Sequence, residues 1–114
     1  MRNTVLLMTA TMLLAACAHE KPPECPKAGD LSSSLDSGWF ADLTVRLEGP
    51  DRQNSIADAI ANLHRTYPEM DATMIADVLI AADCPAATRA ALPEDGARRR
   101  IATLRAQVEQ SLQE

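Results

Sequence analysis

Three groups of side chains in this sequence have the types and spacing to do chemistry. His64, Met70 and Met74 offer an imidazole and two thioethers, the donor set that suits copper, so a small ligand- or metal-binding domain is one reading. Pro68 separates the histidine from the methionines, however, and Met74 falls in the apolar stripe of its helix. Hydrolysis would need a nucleophile, a base and an orienting acid brought together. Serines stand at 32 to 34, 37, 55 and 111, with His64 as the base, but no G-x-S-x-G elbow occurs. Arg98, Arg99 and Arg100 with Arg105 form the basic concentration, either a solvated face or a docking site. As a solvated face it would pair at i, i+4, Glu94 with Arg98 and Arg105 with Glu109. As a docking site it would take an acidic envelope protein, phosphate-bearing headgroups or an anionic polymer. Asp58, Asp77 and Asp83 are expected on polar faces as solvated acids, and with Glu69 and Asp71 they allow head-to-tail self-association. The expectation is a non-catalytic chain with no cofactor.

The first sixteen residues have the three parts of an export signal. Arg2 makes the basic start, the apolar run extends from about Thr4 to Ala16 and is dominated by Val5, Leu6, Leu7, Met8, Met12, Leu13 and Leu14, and Ala15 and Ala16 are the small residues before a cysteine. The apolar run is about a dozen residues, short of the roughly 20 that span a bilayer as a helix. Leu14-Ala15-Ala16-Cys17 resembles the lipobox of bacterial lipoproteins. That resemblance implies lipid on the Cys17 sulfur, cleavage before Cys17 and acylation of the new amino group. Two or more chains on one residue would hold a protein at a membrane, whereas a single chain binds only reversibly. Ala18, in place of an aspartate, implies sorting to the outer membrane, facing the periplasm.

With Cys17 consumed, Cys25 and Cys84 remain as an even pair in an oxidising compartment, and a disulfide is their simplest use. Free thiols or a shared metal are the other uses. No CxxC or CxxCH occurs, so redox and haem-attachment motifs are missing. The charge of −5 becomes −6 once Arg2 leaves with the leader, an acidic balance that argues against generic nucleic-acid binding and against electrostatic adhesion to anionic lipid. Trp39, Phe40 and Tyr67 are the only aromatics, too few for a sugar-stacking surface.

The elements that would position these groups are helices. Residues 17–36, rich in proline and serine, read as the lipidated start and a flexible tether, its free part shortened to the few residues before Cys25 if Cys25 bonds Cys84, and residues 37–114 as the folded domain. Trp39, Phe40, Leu43 and Leu47 line one helix face, capped by Asp36 or Ser37 and stopped by Gly49-Pro50. A second helix opens at Asp51 or Asn54, repeats Ile56, Ile60, Leu63 and Tyr67, and ends at Pro68. Asp71 caps a third with the stripe Met74, Ile75, Val78, Leu79 and Ala82. Cys84-Pro85 closes its main run, with a short continuation to Ala91. Pro93-Glu94-Asp95 starts a fourth, striped by Ile101, Leu104, Val108 and Leu112. The class is all-α, a small bundle of three to four short amphipathic helices. The segment from Asp77 to Pro85 resembles a group of uncharacterised small proteobacterial envelope proteins, in which an aromatic usually stands at the position of Asp83. This resemblance implies no activity.

Overall fold

The structure, a computed structural model, describes residues 25–113; the residues up to 24, on which the expected export signal and Cys17 fall, lie outside the described part. Five helices follow in order: α1 (Ala28–Leu31), α2 (Ser37–Arg46), α3 (Arg52–Thr66), α4 (Ala72–Ala90) and α5 (Glu94–Gln113). The described residues form no strand, and the fold is an all-α bundle. No described helix is long and apolar enough to cross a membrane.

Each helix begins where a polar side chain or a proline meets an apolar repeat. The Asp36 carboxylate accepts hydrogen bonds from the Gly38 and Trp39 amides at 2.8 and 3.3 Å, which starts α2. Asp71 does the same for α4 through the Met74 amide at 2.9 Å. Pro93, which has no N–H to leave unpaired, precedes α5, and Glu94 and Asp95 sit in its first turn. The apolar stripes then meet. Phe40, Leu43 and Leu47 from the α2 segment, Ile56, Ile60 and Leu63 from α3, and Ile75, Val78, Leu79 and Ala82 from α4 are all buried. Tyr67 ends α3 half-buried and donates its hydroxyl to the Ser34 carbonyl at 3.0 Å.

Helix α4 is the centre, packed against each of the other four. Its buried positions Ile75, Ala76, Val78, Leu79, Ala81, Ala82 and Asp83 form the inward face that the other helices cover. Three features depart from the sequence expectations. Helix α4 runs through Cys84-Pro85 without ending, although Pro85 cannot donate to the carbonyl four residues back. Residues on both sides of Pro85 face α5, so packing along the whole helix offsets the missing bond. Residues 26–36, expected as tether, lie on the body of the domain: α1 packs on α2 and α4, and Ala28 and Leu35 are buried. Cys25 stands at disulfide distance from Cys84, Cα to Cα 5.6 Å, so this stretch is held at both ends and ordering it costs little entropy. Met74 and Ile101 are outside the core, 42 and 41% exposed. Met74 lies at the margin of the α4 stripe, and Ile101 borders a groove between α4 and α5.

Helix α4 ends on Ala91, a non-glycine residue in the left-handed region at φ 51°. A side chain there costs about 1–2 kcal/mol, and glycine relieves it at a smaller cost in unfolded-chain entropy. Ala91→Gly is therefore expected to raise stability by about 0.5–1 kcal/mol, read as a higher midpoint in urea.

Candidate functional site

The site grows from one buried acid. Asp83 is four residues after Leu79 and eight after Ile75, on the inward face of α4, and is 2% exposed. A lone carboxylate could not be held there. Arg100 of α5 meets it with two hydrogen bonds, Nε to Oδ2 at 2.6 Å and Nη2 to Oδ1 at 2.9 Å. Arg52 of α3 meets Oδ1 through Nη1, which also donates to the Leu47 carbonyl at 3.3 Å. One carboxylate thus ties α3, α4, α5 and the end of the α2 segment. Burial by itself pushes the Asp83 carboxyl up, but the hydrogen bonds from Arg100 and Arg52, with their charges, outweigh burial and hold it below the ordinary carboxylate value. The hydrogen bond to Asp83 likewise lifts Arg100 above its usual value, against a smaller opposing effect of burial. Asp83 is therefore a structural anion and not the solvated acid that the sequence suggested.

The arginine run of the sequence is dispersed by the fold. Arg98 pairs with Glu94 as the i, i+4 spacing indicates. Arg100 turns inward to Asp83. Arg105 pairs with Asp77 of α4 at 3.0 Å and not with Glu109. Arg99 has no ion pair among the described residues and is exposed. The convergence of guanidinium groups lies elsewhere. Arg52, Arg89 and Arg100, from three different helices, line one cleft of about 370 Å³ with Glu48, Gly49 and Ala86. Arg89, on the solvent side, bonds Glu48. Sequence reading put Asp83 on a polar face and missed Arg52 and Arg89. The signal for Asp83 was its place in the repeat of Ile75 and Leu79; Arg52 and Arg89 are 37 positions apart and gave none.

On the other side of Asp83 and Arg100 lies an apolar groove of about 360 Å³ between α4 and α5, lined among others by Ile80, Ala87, Leu92, Ala97 and Ile101. Leu92 and Ile101 are the exposed large apolar residues on its rim. Cys84 and Thr88 form its far wall, and the Cys25 and Cys84 sulfurs lie 3.9 and 4.0 Å from the Thr88 hydroxyl.

The soft-donor set does not assemble as one group. Met70 is buried, and it lines a cleft of about 230 Å³ with Met74, Asp30 and Asp77. His64 is exposed on α3 and is not part of that cleft. Ser55 is buried on the same helix as His64, and nine residues at about 1.5 Å each put roughly 13 Å between them. What the described surface offers chemically is recognition: forked N–H donors for an oxyanion on one side, and an apolar groove on the other. No family model matches the chain, and neither a curated protein nor a solved structure matches it.

Proposed function

We propose that this chain is a lipid-anchored, non-catalytic interaction module of the bacterial cell envelope, held by Cys17 at the outer membrane and facing the periplasm. The observation that carries the reading is the cysteine arithmetic. Cys25 and Cys84 come together at disulfide distance, which leaves Cys17, directly after Leu14-Ala15-Ala16, as the odd thiol. A bonded pair suits an exported, oxidising setting. The eight steps from Cys17 to Cys25 can span at most about 28 Å, so an anchor at Cys17 would keep the domain close to the lipid surface. The apolar groove rimmed by Leu92 and Ile101 supports the interaction part of the reading.

The test is metabolic labelling with a palmitate analogue. The wild-type chain should take up label and partition into detergent, and Cys17→Ser should lose both properties and keep its leader. An unlabelled wild-type chain of full precursor mass would overturn the proposal.

A further inference from the structure

We infer that the cleft lined by Arg52, Arg89 and Arg100 is a binding site for a phosphate-type oxyanion, an inference that stands whether or not Cys17 is lipidated. Three guanidinium groups face only two acids there, Glu48 and Asp83, which leaves the cleft with a net positive charge inside an acidic chain. Remote acids are screened beyond roughly 8 Å at physiological salt, so the local balance governs. Each guanidinium carries five N–H donors. Arg52 commits two, to Asp83 and Leu47; Arg100 commits two, both to Asp83; Arg89 commits one, to Glu48. Most of the donors at the cleft are therefore uncommitted among the described residues.

The arrangement is also prepared in advance. Ordering a long side chain on binding costs conformational entropy. Arg52 and Arg100 are already fixed by the buried Asp83, which removes much of that cost for two of the three. Arg89 is 73% exposed and can leave Glu48 to close over an anion. Gly49, Ala86 and Ala90 contribute little bulk to the lining, which keeps the cleft open. A planar fork that can meet two oxygens at once is the recognition suited to phosphate. Phosphate chemistry here has two sources, a free phosphate or the headgroup of an anionic phospholipid.

The experiment follows thermal stability and heat of binding of the full chain in detergent, titrated with inorganic phosphate at constant ionic strength. A parallel titration uses short-chain phosphatidylglycerol below its micelle threshold. Saturable stabilisation by either ligand, absent with chloride, is the expected result. A free-phosphate source is indicated if inorganic phosphate binds at least as tightly, and a headgroup source if the lipid binds more tightly. Arg89→Gln should weaken binding about tenfold or more while leaving the unliganded chain folded. Glu48→Gln, which removes the competing acceptor, should tighten binding several-fold. Arg99→Gln should change nothing. Absence of saturable binding by both ligands, or equal affinity in wild type and Arg89→Gln, would overturn the assignment.

Discussion

Asp83→Asn lowers the stability of the domain by about 3 kcal/mol at neutral pH, the lower end of what removing one partner of a buried ion pair costs. The lower end applies because Arg52 and Arg100 are each about a quarter exposed and can turn partly to water. For a domain of this size that is a fall in Tm of roughly 12 °C or more, measured by circular dichroism. Asp77→Asn, which removes the surface partner of Arg105, serves as the control and should cost about 1 kcal/mol or less. The pH dependence carries a definite sign. The carboxyl of Asp83 is held below its ordinary value in the folded chain, so the unfolded chain takes up a proton first as pH falls. Its contribution is complete above the unfolded value, about 4, and is lost as pH falls through the folded value. The stability gap between wild type and Asp83→Asn should therefore be flat from pH 7 to 5 and narrow below about 4. A gap that stays constant down to pH 2 would show that the charge of Asp83 is not what holds the three helices.

The second large effect is expected from the cysteines. Closing a loop of 59 positions between Cys25 and Cys84 is worth about 4 kcal/mol in the chain-entropy model. Cys25→Ser with Cys84→Ser should lose stability up to that amount, read as a lower urea midpoint with a steeper slope, because the crosslink no longer holds the unfolded chain compact. The loss also has a place. Residues 26–36 are held on the body by Ala28, Leu35 and the tie at Cys25, so they should come away first. Trypsin cleavage after Lys27 is then faster in the double variant than in the oxidised wild type, before global unfolding. Alkylation of Cys25 and Cys84 without prior reductant would remove the basis for both expectations.

Much of the fold was legible because its signals are local. The caps Asp36 and Asp71, the stops at Gly49-Pro50 and Pro68, and the start at Pro93-Glu94 act over a few residues, and the structure keeps all of them. The three-to-four residue repeats gave the core for the same reason, from Leu43 through Ile60 to Leu79. What was not legible depends on partners distant in sequence. Asp83 reads as a surface acid until Arg52, 31 positions before it, and Arg100, 17 after it, arrive beside it. Pro85 reads as a helix end because propensity counts the lost hydrogen bond and not the packing of α5 along both halves of α4. Residues 26–36 read as tether from Pro26 and the serines at 32 to 34, although Leu31 and Leu35 were enough apolar surface once Cys25 was fixed. The arginine cleft was hidden altogether, since Arg52, Arg89 and Arg100 come from three helices while Arg98 to Arg100 stand out as a run.

The crowding of α4 also limits where this protein can change. Its seven inward positions, Ile75, Ala76, Val78, Leu79, Ala81, Ala82 and Asp83, have little room for variation, whereas Thr73, Met74, Asp77, Thr88, Arg89 and Ala90 stand exposed. Ala76, Ala81 and Ala82 are fully enclosed, so even a few added methylenes there force neighbours apart at a cost of about 1–3 kcal/mol each. New recognition properties therefore arise on α3, on α5 and on the exposed positions of α4 such as Arg89, not on its inward face. A library of random variants selected only for folding should show the inward positions of α4 nearly frozen and its exposed positions diverse.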